Sequence, residues 1–210
     1  MNRIARGRSA RDSAAPRLAR RAAVAAMAIG AMLPVAGCGV LGSGAGVQTL
    51  ATMTVNSAAF AQNTVPARYT CGAGTKAISP PLGWAGAPPG TKSLALVVDD
   101  SSAPITPYVY WIVYDINPAT SEILEGQLPA GARQARNSQG AAAYEPPCPG
   151  PHGHEYRFTV YALNRVLNLP PGTSLESAWA AIAAATIGWG RLPAKATTAV
   201  AITPTTLAMR

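Results

Sequence analysis

From about residue 52 onward the chain alternates short apolar runs with clusters of Gly, Pro, Asn and Ser, the pattern of short strands joined by turns. Three runs are the clearest strands: KSLALVVDD (92–100), YVYWIVYDI (108–116) and HEYRFTVYAL (154–163). All are rich in Val, Ile, Tyr and Trp, which suit a pleated, half-buried surface. AVAITP (199–204) reads as a last strand. One segment departs from the period of two. In TSLESAWAAIAAAT (173–186), Thr173 and Glu176 stand at capping-box spacing, and Leu175, Trp179 and Ile182 fall on one helical face. The pattern predicts an all-β domain, a sandwich or barrel, with a helix packed across one end or edge. No repeat, heptad or nucleotide-binding glycine loop accompanies it.

The same period places the chemistry. Along 154–163, His154, Tyr156, Phe158, Val160 and Ala162 point one way, and Glu155, Arg157, Thr159 and Tyr161 the other. Along 92–100, Leu94, Leu96, Val98 and Asp100 share a face. Each strand thus ends an apolar row with polar groups on the same side. Buried polar groups need partners, so a His, a Tyr and an Asp at strand ends can supply one another or a ligand. Both histidines of the chain, His152 and His154, lie in YEPPCPGPHGHEYRF (144–158), beside Cys148 and four prolines.

Charge changes the picture only at the N-terminus. The formal net charge of +8 would suggest a nucleic-acid or anionic-lipid partner if it were spread over the folded part. Seven of the 17 basic residues and one of the nine acidic ones precede Cys38, so the remainder carries ten against eight. No nucleic acid is expected as a partner. The basic start is followed by an apolar run, AAVAAMAIGAMLPVAG (22–37), shorter than the roughly 20 residues of a membrane-spanning helix. It ends in VAGC (35–38), which resembles the bacterial lipobox. Residues 1–37 therefore read as a lipoprotein signal peptide and Cys38 as the lipidated first residue of a membrane-anchored protein. A plain secretory peptide or an uncleaved anchor is the other reading, and Arg20-Arg21 leaves the export route open. Residues 38–51 read as a flexible tether, and 52–210 as the domain.

Cys71 and Cys148 remain. An oxidising compartment favours a bridge between them, and two free buried thiols are the alternative. Cys148, His152 and His154 are zinc-type ligands, but no second Cys-x-x-Cys or His pair stands elsewhere, and no metal or cofactor is expected. Trp84, Trp111, Trp179 and Trp189 read as core fillers. No Gly-x-Ser-x-Gly occurs, and Ser101 or Ser102 beside Asp100 is no triad, so the reading is a binding protein and not an enzyme.

Three ordered segments resemble the phosphatidylethanolamine-binding protein family, in its bacterial Raf-kinase-inhibitor-like branch. They are ISPPLGWAGAPPGTKSLALVVDDSSAP (78–104), YWIVYDI (110–116) and YEPPCPGPHGHEYRFTVYAL (144–163). The helix near 175–185 and a Gly turn at Gly188 fall where that family has them. The resemblance spans about residues 52–210 and implies a β-sandwich with one or two peripheral helices near the C-terminal part. It also implies a small cavity for anionic groups such as a phosphoryl headgroup or acetate, formed by Asp100, Tyr110, Pro147, His154 and Tyr156, with Tyr144 nearby. His154 and Tyr156 would donate to the anion, and Asp100 would fix the His154 tautomer. Three positions depart from the family pattern: Ser102 replaces an Asp, Tyr110 a His and Pro146 a Gly, giving a less charged cavity with a bulkier wall. The alternatives are an envelope interaction lipoprotein with a vestigial pocket, a protease inhibitor, and a hydrolase using Asp100 and His154.

Overall fold

The computed structural model describes residues 49–102, 106–150 and 153–196. The leader, Cys38, nearly all of the tether, His152 and the strand expected at 199–204 lie outside the described residues. The elements in chain order are β1 (Ala51–Thr52), β2 (Thr54–Asn56), β3 (Leu82–Ala85), β4 (Ser93–Asp100), β5 (Tyr108–Ile116), β6 (Glu122–Ile123), β7 (Arg133–Gln134), β8 (His154–Leu163), α1 (Leu175–Ala185) and β9 (Thr186–Ala196). A six-stranded sheet has the order β1-β9-β8-β4-β5-β7, and a three-stranded sheet the order β2-β3-β6. Only the short β1–β9 pairing among these ladders is parallel. The expected all-β architecture is the one observed.

The central strands β4, β5 and β8 are buried on both faces, which separates two cores. One face of β4 and β8 gives Leu94, Leu96, Val98, Tyr156, Phe158 and Val160 to a core shared with Leu82 and Trp84 of the small sheet. The opposite face, through Ala95, Val97 and Leu163, meets Ala178, Ile182 and Ala185 of α1. Burying such side chains stabilises by roughly 1.5–3 kcal/mol each, so these two apolar rows dominate the fold.

Three local expectations are corrected. The cap of α1 is Ser174, whose Oγ accepts from the Ser177 N–H at 3.2 Å. Thr173 belongs to the preceding turn, where its N–H donates to the Pro170 carbonyl, so Glu176 cannot close a capping box with it. The helix buries Ala178, Ile182 and Ala185, not Trp179, which is 41% exposed. Small residues let the helix lie close on the sheet and turn the indole to its flank. Trp189 is exposed as well, whereas Trp84 and Trp111 fill the core.

The third correction concerns Gly188. It starts no turn but lies within β9, opposite Ala162 of β8. Along β9 the buried positions are Gly188, Gly190, Leu192, Ala194 and Ala196, a clean alternation written mostly in small residues. The glycines are required by a close crossing. A Cβ on Gly190 would come within 2.3 Å of the Met53 carbonyl oxygen, because the chain between β1 and β2 runs over the strand there.

Candidate functional site

The ladder between β4 and β8 sets the site. Asp100 lies opposite Tyr156, and Asp99 opposite Arg157. His154, two residues before Tyr156, is therefore the diagonal neighbour of Asp100 on the same face. Its Nδ1 lies 2.6 Å from Asp100 Oδ2. The other oxygen, Oδ1, accepts the Ser102 N–H at 2.7 Å, so the carboxylate, 3% exposed, has a partner on each side. With Nδ1 engaged by Asp100, the second ring nitrogen of His154 is the one that can address a ligand. Gly150 borders it: a Cβ there would sit 3.7 Å from His154 Nε2.

The β4–β5 ladder supplies the next wall by breaking its register. Val98 pairs with Trp111 and Asp99 with Val109, so Tyr110 is the extra residue of a bulge. A bulge re-aims side chains. Here it puts Tyr110 and Trp111, adjacent in sequence, into the same core. The Tyr110 ring meets Tyr156 edge-on at 5.5 Å and Tyr108 at 4.8 Å, while the His154 ring lies nearly parallel to Tyr156 at 6.1 Å.

Tyr156 is wholly buried, and its hydroxyl has no hydrogen-bond partner among the described residues. Leaving such a group unpaired costs about 1–3 kcal/mol. Burial pushes its phenol well above the ordinary tyrosine range, the nearby Asp100 charge pushes it the same way, and the neighbouring Tyr110 hydroxyl offsets part of the rise without forming a bond of hydrogen-bond geometry. Burial likewise raises Tyr110, with Tyr156 and Asp100 adding to it. Both phenols are neutral donors at neutral pH.

The remaining expected residues take other positions. Tyr144 donates its hydroxyl to the Tyr69 carbonyl at 2.7 Å and packs its ring edge-on against Trp111, so it forms wall and not donor. Pro147 is buried, and its carbonyl accepts the Cys71 N–H at 3.0 Å. Cys71 and Cys148 are joined by a disulfide with 5.1 Å between Cα atoms, which ties the 144–150 loop to the 71–76 segment. Cys148 therefore has no thiolate for a metal, and no group of three potential ligands gathers among the described residues. Two residues at the cluster were not singled out in the sequence. Tyr108 stands beside Tyr110, and its hydroxyl donates to Glu145 at 2.9 Å. The signal for Tyr108 was its position two residues before Tyr110; nothing in the pattern pointed to Glu145.

Clefts of about 470, 290 and 230 Å³ lie elsewhere on the surface, and none of these three has Asp100, His154 or Tyr156 in its walls. The cluster stands at the ends of β4 and β8. Among the described residues no helix is long and apolar enough to cross a membrane.

Comparison with known proteins agrees with this architecture. Residues 55–197 match the family model described as phosphatidylethanolamine-binding protein. A UPF0098 protein of Methanothermobacter thermautotrophicus is 40% identical over 133 residues, covering 61% of this chain and 87% of that one. A Mycobacterium tuberculosis protein named lipoprotein LppC is 42% identical over 143 residues, 67% of this chain and 70% of that one. Among solved structures, a phosphatidylethanolamine-binding protein homologue from Chlamydia trachomatis superimposes with a TM-score of 0.62 at 33% identity, covering 69% of this chain and 96% of that one. YbcL of E. coli, described as a member of the mammalian family, gives 0.62 at 26% identity, covering 70% and 98%. With two thirds of its length matched to the family model and its strands arranged in the same way, the chain belongs to the phosphatidylethanolamine-binding protein family.

Proposed function

We propose that this protein is a non-catalytic, lipid-anchored binding protein on the outer side of the cytoplasmic membrane, whose site at Asp100, His154 and Tyr156 takes a small phosphoryl-type anion or headgroup. The observation that carries the reading is the pairing of Asp100 with His154 Nδ1 at 2.6 Å beside the unpartnered, fully buried Tyr156 hydroxyl. The neutral Tyr156 phenol is one donor, and with Nδ1–H on Asp100 the outer imidazole nitrogen is a second when the ring is protonated; donors to an anionic oxygen make the stronger class of hydrogen bond. Tyr110 replaces the histidine of the family pattern and adds a second phenol in place of a titratable base. The site therefore suits a ligand whose anionic oxygens accept from phenols and from a His154 imidazolium held by Asp100.

Catalysis by a serine is the weaker reading. The Ser102 hydroxyl accepts from the Glu155 N–H at 3.3 Å and the Ser101 hydroxyl donates to the Glu155 carbonyl at 3.1 Å, so neither is held by His154. The leader and the likeness to a relative named as a lipoprotein support the anchor. Calorimetric titration with phosphorylethanolamine tests the site. Saturable heat in the parent that falls at least about tenfold in affinity in His154→Ala, the loss of one charge-assisted bond, supports it. Equal affinity in parent and variant, or turnover of a phosphoester lost in the variant, overturns it.

A further inference from the structure

The residues of β8 that point away from the Asp100 site build a different feature. Arg157, Thr159 and Tyr161 face α1, opposite Asp99, Val97 and Ala95 on β4 and Pro193, Arg191 and Trp189 on β9. Between these strands and the flank of α1 opens a cleft of about 470 Å³ whose walls include Asp99, Arg157, Tyr161, Leu175, Trp179 and Arg191. That volume falls within the roughly 300–1,000 Å³ of small-molecule sites.

The charges in the cleft do not cancel. Arg157 grips Asp99 with two nitrogens, its Nε at 3.0 Å from Oδ1 and its Nη2 on Oδ2, which accounts for one positive and one negative charge. Among the described residues Arg191 has no acidic partner. Its Nε donates to Thr159 Oγ1 at 2.9 Å, and its guanidinium lies 5.1 Å from the centre of the Trp189 ring. One step along the ladder Glu155 and Lys195 stand opposite each other and offset, so the excess charge is that of Arg191. Stacking and the Thr159 bond fix the guanidinium plane, and a fixed, permanently charged fork suits a two-oxygen anion.

The other wall is aromatic. Trp179 meets Tyr161 edge-on at 6.1 Å and 84°. It remains 41% exposed and lines the same cleft as Arg191. Burial holds the Tyr161 phenol above its ordinary range against the opposing Arg191 charge, so it adds no negative charge to the cleft.

We propose that this cleft is a second binding site, separate from the Asp100 site, for an oxyanion carried on a flat aromatic body. Arg191 holds the anion, and Trp179 with Tyr161 and Leu175 holds the ring. The test uses 1-naphthalenesulfonate and the neutral 1-naphthol, titrated by calorimetry against the full chain and against His154→Ala, which silences the other site. The sulfonate binds saturably to both proteins, and 1-naphthol binds at least about tenfold more weakly. Arg191→Gln weakens the sulfonate by about tenfold or more, and Trp179→Ala by several-fold, the order of an aromatic contact. Both side chains are exposed, so each variant folds with a melting temperature close to the parent's. No saturable binding up to about 5 mM, or an affinity unchanged by Arg191→Gln, overturns the proposal.

Discussion

Asp99 and Asp100 are neighbours at the end of one strand, yet the alternation of β4 sends them to opposite faces and into opposite chemistry. Asp99 faces α1 and is locked to Arg157 by two bonds, one of them Nε to Oδ1 at 3.0 Å. Asp100 faces the other core and holds a histidine whose side chain is 36% exposed, next to the phenol that lacks a partner. The first pair is closed on itself: both Asp99 oxygens are taken by Nε and Nη2 of Arg157, and what remains for a ligand is the uncompensated Arg191 beside it. The second is left open one bond further out, at the far nitrogen of His154 and the hydroxyl of Tyr156. A carboxylate alone therefore does not mark a site. What distinguishes the two ends is whether the group it holds still has a polar atom to offer.

The largest expected effect separates the two faces covalently. The Cys71–Cys148 disulfide, with a sequence separation of 77, ties down the 144–150 loop, whose Gly150 borders His154. Cys71→Ser/Cys148→Ser is expected to cost up to about 4.5 kcal/mol by the loop-entropy account, lowering the melting temperature on the order of 10 °C. Headgroup affinity at the His154 site should fall with it, while sulfonate binding at the Arg191 cleft should persist. Equal loss at both sites would show that the bridge supports the whole sandwich and not one face. Next in size is Arg157→Met, which leaves Asp99, 5% exposed, without its cation. A loss of about 3 kcal/mol is expected, at the low end for broken buried pairs because Arg157 is partly exposed, and most of it should return in Asp99→Asn/Arg157→Met. His154→Ala should cost only about 1 kcal/mol, because Asp100 keeps the Ser102 N–H and the imidazole is already partly in water. Denaturant midpoints of the four proteins decide whether the closed pair outweighs the open one.

The strands that carry both faces were legible because their inward residues are large: β4, β5 and β8 fall within a residue of the runs read from Val, Ile, Leu and Tyr. The strand β9 was not, since an alternation of Gly, Gly, Leu, Ala and Ala carries almost no apolar signal, and Pro193 argues against a strand. Those small residues answer to the Met53 backbone crossing above them, a constraint that arises only in three dimensions. Alternation put Asp100 and His154 each on a core-facing side, but that β4 and β8 are neighbours came only from the resemblance to a family. Tyr110 shows the limit of counting by twos. A strict period sends Tyr110 and Trp111 apart, and the bulge opposite Val98 and Asp99 brings them together. The Arg191 cleft was hidden for a related reason, because Trp179 at its wall reads as core until the small face of α1 is seen to be the one that packs.

The smallest expected effect is the most specific to the open face. Tyr156→Phe removes a fully buried hydroxyl that has no partner among the described residues, with no change of ring and no cavity larger than one oxygen. At neutral pH the variant should be as stable as the parent or more so by up to about 1 kcal/mol, the low end of the cost of an unpaired buried group, while phosphorylethanolamine binding weakens. The sign at high pH follows from the raised phenols. Tyr110, Tyr144 and Tyr156 are all held above their ordinary value, chiefly by burial, so the folded chain keeps these protons longer than the unfolded one. Their contribution is complete below pH about 10 and is lost as pH rises beyond it, where the unfolded tyrosines ionise first. Tyr156→Phe takes one of the three out of that balance, so its alkaline unfolding midpoint should move upward relative to the parent. A variant that is instead less stable by more than about 1 kcal/mol at neutral pH would mean that the hydroxyl is satisfied by ordered water, and the open face would then be closed like the other.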